Sequence, residues 1–276
     1  MAVRTWDGND ATTPNDWSVT GNWVEGSVPV STDDVIIPAG SADITAGLNQ
    51  SAVTLGSLVF ERYSGDIGSV SGYLQVAVSG EFRVDCIGGQ QFIDIGASAI
   101  SPVIDNSAGA RSGERGFNIL GTAIATLVVN GGSVGVAIAP SDSATVTSVK
   151  ALGGDVWVGE NVTLTNLYAF GGGVRLQCAA TLLELNGSKV STYGTGAITT
   201  VTTYDGNFRP MSTGTITTLN AYGGTIDFNK TAASRTVTTL NLSVDSRAAV
   251  HTDPDYVTFS TVTLPTDRRF NLSVDT

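Results

Sequence analysis

The sequence predicts an all-β chain folded as a right-handed parallel β-helix, a solenoid with rungs of about 18 residues and an N-terminal cap. Three observations carry that prediction. A Leu- or Val-led segment ending in glycine recurs along the chain, with leading residues Leu127, Val149, Leu167, Leu183, Val201 and Leu219 and a degenerate last copy, without the glycine, at Leu240, at spacings of 22, 18, 16, 18, 18 and 21. Each copy alternates apolar and polar residues with the period of a strand, and no helical period is present. The composition agrees: 41% hydrophobic residues suffice for a core, while 14% charged residues and 33 glycines leave little with which to clothe helices.

In chain order, residues 1–45 read as a cap with the first strands, and 46–276 as one continuous solenoid domain. A solenoid must close its ends, because an open first rung exposes both its interior and an unpaired strand edge. Trp6, Trp17 and Trp23 put three of the four tryptophans in the first 23 positions, as a lid would require. A sugar-binding platform is the alternative use of such a cluster. Asp33-Asp34-Val35-Ile36-Ile37-Pro38 supplies a short strand ended by proline. Leu55–Phe60 and Phe82–Gly89 read as looser rungs, and the stretch from Ser98 to Gly116, with Pro102 and Asn106, as a surface excursion.

The regular copies then follow. Each has an alternating strand, a turn with glycine, and often a second short strand opened by Val156, Val174 or Ile226. Glycine suits the corners because it accepts positive φ and lets the next rung approach closely. Thr199-Thr200 and Thr217-Thr218 favour extended backbone and are placed to form hydroxyl ladders between rungs. The tail Phe270-Asn271-Leu272-Ser273-Val274 reads as a last strand. With rungs about 4.8 Å apart, ten make a rod of roughly 50 Å. A two-sheet sandwich also uses short glycine-bounded strands. In-register similarity at a fixed period, which hairpins do not require, favours the solenoid.

Asn22-Trp23-Val24-Glu25-Gly26-Ser27-Val28-Pro29, followed by Asp33-Asp34-Val35-Ile36-Ile37, resembles the "NWSxGxxP…DDVxI" opening of many bacterial and phage β-helix surface proteins. Val24 departs from the Ser usual there. The resemblance covers about the first 40 residues. It implies the fold and an exposed location, on a virion or a cell surface, and brings no catalytic residue with it.

Acidic residues exceed basic ones, giving a net charge of −11, and no Lys/Arg cluster stands out, so a nucleic-acid partner is not expected. The opening Met1-Ala2-Val3-Arg4-Thr5-Trp6 lacks a signal-peptide pattern, and no apolar run is long enough to span a bilayer, so no membrane insertion is expected. Cys86 and Cys178 lack metal or redox spacing and read as two buried thiols, which fits synthesis in a reducing cytoplasm. His251 is the single histidine, there is no nucleophile turn, and one histidine with two remote cysteines cannot make an ordinary zinc site. Asp7-Gly8-Asn9-Asp10 and Asp253-Pro254-Asp255 offer oxygens for calcium, but turns explain them more simply. No catalytic residue, metal or cofactor is expected.

Two outward columns remain. Trp157, Arg175, Arg209 and Asp227 each lie three residues past a turn glycine and form a mixed-charge row that suits an acidic sugar. Leu152, Phe170, Tyr204 and Tyr222 share one position before the turns, where alternation points them outward as an apolar stripe; a bend at the corner that turns them inward is the alternative. Such a stripe marks an interface with other subunits or with a ligand that stacks on rings. The expected function is a non-catalytic virion surface protein of a bacteriophage, a head decoration, fibre or tail-spike module, assembled as a homotrimer along the stripe and contacting other virion proteins. The alternative is a secreted bacterial adhesin or polysaccharide-binding module at the cell surface, contacting glycan. A glycan depolymerase, using Arg175, Arg209 and Asp227, ranks third.

Overall fold

In a computed structural model the chain is a parallel β-solenoid of about 10 turns, with about 1% helix. The structure describes residues 2–108, 115–243, 248–253, 255–264 and the backbone of 272–274. Every strand pairing of the solenoid is parallel and joins a strand to its counterpart in the next turn, giving two ladders that climb the rod together. Ladder I begins with Val3–Thr5 against Asp34–Pro38 and includes Ala144–Ala151 and Val162–Ala169. Ladder II includes Asp155–Val158, Gly173–Leu176, Ser188–Thr192, Gly206–Pro210 and Thr225–Asp227.

Side-chain alternation decides what enters the core. In ladder I, Leu127, Val149, Leu167, Leu183, Val201, Leu219 and Leu240 fall in one register and are all buried, so the sequence repeat and the physical rung are the same object. Facing them, Val134, Val156, Val174, Val190, Phe208, Ile226 and Val250 form a second buried stack in ladder II. Each such side chain contributes about 1.5–3 kcal/mol on burial. The long ladder I strands bend once. Alternation slips between Ser148 and Val149, both buried, and the corner residues of later rungs stack as Thr200, Thr218, Thr239 and Thr261. A polar column runs beside them, where Asn241 Nδ2 donates to Asn220 Oδ1 at 2.9 Å.

Rung length is not uniform. Val35, Leu58 and Phe82 are register partners 23 and 24 residues apart, longer than the rungs of the second half. The wider interior there is filled by rings: Phe60 packs on Tyr63 and Phe82 at 6.1 and 6.3 Å, and Phe82 on Phe117 at 6.0 Å. The expected surface excursion from Ser98 to Gly116 is corrected in part. Val103–Ser107 is a ladder I strand between Phe82–Cys86 and Phe117–Val129, with Ile104 in the core. Its alternation is too short to stand out beside Pro102. Residues 109–114 of that stretch, Pro254 and the start of the expected tail strand lie outside the described residues; Leu272–Val274 does pair with the Ala249–Thr252 strand.

The cap is the excursion between the first two ladder I strands. Trp6, Trp17 and Trp23 are all buried, with centroids 4.8–6.3 Å apart. Trp6 Nε1 donates to the Ala42 carbonyl at 2.8 Å, and Trp23 Nε1 to that of Trp17 at 2.9 Å. No face is left for a sugar, so the cluster is a lid. Buried Asn22 ties the loops by donating to the Thr13 and Asp16 carbonyls, and Asp33 accepts from Arg4 Nε at 3.0 Å.

At the turns, Gly154, Gly172 and Gly224 adopt φ of +72, +65 and +80°, and a Cβ on Gly172 would stand 2.0 Å from the Gly154 carbonyl oxygen below it. Gly40 has a similar φ of +75° but open space around its Cβ position. Alanine at Gly172 is therefore expected to destabilise by about 3 kcal/mol or more, and alanine at Gly40 by about 1–2 kcal/mol from strain alone. Denaturation midpoints of the two variants compare them directly; equal losses would show that rung contact at the turn is not the limiting constraint.

Candidate functional site

The outer face of ladder II gathers the charged residues. Gly135, Trp157, Arg175, Ser191 and Arg209 occupy successive rungs of one outward column. Asp227 follows one residue after the Phe208–Ile226 pair and is itself in register with His251. The four residues singled out from sequence thus share a face. Three neighbours that sequence reasoning did not place there join them: Arg115, Lys189 and His251. The signal for Lys189 was available, two positions before Ser191 on an alternating strand. Arg115 arrives from another turn, which no local pattern reveals.

Contacts assign roles to these side chains. The Arg115 guanidinium lies 4.9 Å, and that of Arg175 5.5 Å, from the Trp157 ring centroid. Trp157 Nε1 donates to Gln177 Oε1 at 3.0 Å, which fixes the ring. The ring therefore positions two cations. Arg115 also pairs with Asp155 and donates to Ser133 Oγ. Asp227 pairs with Lys230 at 3.2 Å, so it does not stand as a free carboxylate. Arg175, Lys189 and Arg209 make no ion pair among the described residues. At the head of this column Phe92 and Asn118 line a cavity of about 470 Å³ together with Asp66, Arg115 and Ile138.

The second feature runs along the turn edge. Leu152, Phe170, Tyr204 and Tyr222 are 45, 41, 48 and 45% exposed, with exposed Asn186 at the same place in the intervening rung. Their amides donate to the Val129, Ala151, Leu185 and Thr203 carbonyls of the rungs below, which holds them in line. Tyr204 and Tyr222 stack at 5.4 Å with planes 16° apart. The inward bend weighed for this column does not occur, because the backbone stays in ladder register up to the glycine turn.

Other chemistry is sparse. Among the described residues no three His, Cys, Asp or Glu side chains are grouped to hold a metal ion. Asp10 accepts from the amide and hydroxyl of Thr12 and the amide of Thr13, bonds that draw its carboxyl down to about 2 and complete a turn. Among the described residues no helix is long and apolar enough to cross a membrane. Neither cysteine is paired, and burial raises both thiols, Cys178 to about 12 and Cys86 higher still. Both are expected to resist an aromatic disulfide reagent at about pH 8 in the native protein and to react fully once unfolded. Rapid native labelling of either would contradict this burial.

In comparisons with protein-family models, curated proteins and solved structures, nothing matches this chain.

Proposed function

We propose that this chain is a non-catalytic structural rod displayed on a bacteriophage virion, as a head decoration, fibre or tail-spike module, and that three copies associate along the turn-edge stripe. The observation that carries the reading is the alignment of Leu152, Phe170, Tyr204 and Tyr222, large apolar side chains 41–48% exposed along one edge. Clustered exposed apolar side chains, here interrupted only by Asn186, mark interaction surfaces, and aromatic residues supply most of the energy of such contacts. A parallel solenoid suits this role because its edge is straight, so one stripe on each copy meets its equivalent over many rungs. The N-terminal resemblance to virion and cell-surface β-helix proteins is consistent with an exposed location. The protonated thiols and the pairing of Asp227 with Lys230 support a non-catalytic reading.

Light scattering during gel filtration tests it. The expected mass is three times the 28.4 kDa of the chain. Replacing Leu152, Phe170, Tyr204 and Tyr222 together by Ser should yield a folded monomer, since exposed side chains add little to rung stability. A wild-type monomer, or a variant that assembles as well as the wild type, would remove the stripe as an assembly surface.

A further inference from the structure

We propose that the outer face of ladder II binds an acidic polysaccharide that carries a carboxylate on every second sugar. This inference is independent of the assembly along the turn edge. The five ladder II strands from Asp155–Val158 to Thr225–Asp227 carry three cations, Arg175, Lys189 and Arg209, and two carboxylates, Asp155 and Asp227. Each carboxylate already has its own cation from outside these strands, Arg115 for Asp155 and Lys230 for Asp227. The three strand cations are therefore uncompensated, in a chain whose net charge is −11. An acidic protein that concentrates unpaired cations on one face presents a local anion site in a repelling field.

The spacing selects the ligand. Arg175 and Arg209 lie in one column two rungs apart, with the small, nearly buried Ser191 between them. Two rungs are about 10 Å, the length of an extended disaccharide. Lys189, on the intervening strand, flanks the gap. A polymer lying along the rod would thus meet two guanidiniums one disaccharide apart, each able to hold a carboxylate by paired hydrogen bonds. Duplex DNA, with one charge per about 1.7 Å, is a poor match to so sparse a row and is repelled by the remaining carboxylates.

Two further details distinguish this face. Arg209 Nε and Asn207 Oδ1, a donor and an acceptor on adjacent columns of the same strand, are buried without hydrogen-bond partners. Buried polar atoms are ordinarily satisfied. The Arg115–Trp157–Arg175 stack also holds one guanidinium in place before any ligand arrives, which reduces the ordering cost of binding.

A hyaluronate octasaccharide, whose carboxylates fall on alternate sugars, is the probe, followed by calorimetry and by the fluorescence of Trp157. The other three tryptophans are sealed in the cap, so a change in emission reports this face. The expected results are binding that weakens with added salt, a loss of about tenfold for Arg175→Gln and again for Arg209→Gln, and no loss for Lys150→Gln on ladder I. All three substituted side chains lie on outer faces, and circular dichroism checks that the fold persists. The proposal is overturned if hyaluronate does not bind, if neutral dextran binds equally, or if the arginine variants bind like the wild type. Tighter binding of polygalacturonate would overturn the alternate spacing. Tighter binding of duplex DNA, lost with the same substitutions, would reassign the face to nucleic acid.

Discussion

One strand spacing separates each rung from the next, and everything in this molecule must fit within that distance. Main-chain hydrogen bonds of the two ladders demand it, and the turns are where it is hardest to meet. There the carbonyl of Gly154 lies where a side chain on Gly172 would begin, and Gly132 stands in the same relation to Gly154. Positive φ and the absence of Cβ are needed together at these positions. Once the turns close, like side chains stack on like, and the Leu/Val and Val/Ile columns fill the interior with no specific partner other than the neighbouring rung.

The same constraint explains the differences between the two halves. Longer rungs at the N-terminal end enclose a wider interior, where Phe60, Tyr63, Phe82 and Phe117 pack ring on ring; the shorter rungs beyond Leu127 are filled mainly by Val, Leu, Ile and Ala, with Phe208 and Phe228 among them. A stack also has an end, and its first strand has no partner below. The cap answers that by folding three indoles together between the strands Val3–Thr5 and Asp34–Pro38, with Asn22 joining loops that have no ladder of their own. The lid expected from these rings is what forms, and the indole N–H groups of Trp6 and Trp23, donating to backbone carbonyls, leave the alternative sugar platform without a face.

Outward-facing positions are free of these demands, and that is where function resides in a solenoid. The turn edge offers apolar surface and the ladder II face offers unpaired cations, on different parts of the rung, so the proposed assembly and the proposed polymer would not compete for the same side chains. Both surfaces inherit the regularity of the core. Leu152, Phe170, Tyr204 and Tyr222 line up because their amides are ladder donors, and Arg175 and Arg209 are two rungs apart because Ser191 takes the place between them.

Sequence alone determined the repeat, the leading Leu/Val column, the shared position of the stripe before the turns and the row from Trp157 to Asp227. All of these follow from local alternation and from a period that the chain repeats. That the stripe points outward was decided by the structure. Sequence did not disclose Val103–Ser107, a five-residue strand beside Pro102 whose alternation is too brief to register, nor the long rungs at the start, where similarity between copies fades. Only the tertiary structure decided which charges are compensated. Arg115 reaches Asp155 and Trp157 from 40 and 42 positions away, and Lys230 folds back from a turn onto Asp227. Strand period fixes which way a side chain points, whereas ion pairing depends on distances across rungs, and those are set only when the chain has coiled.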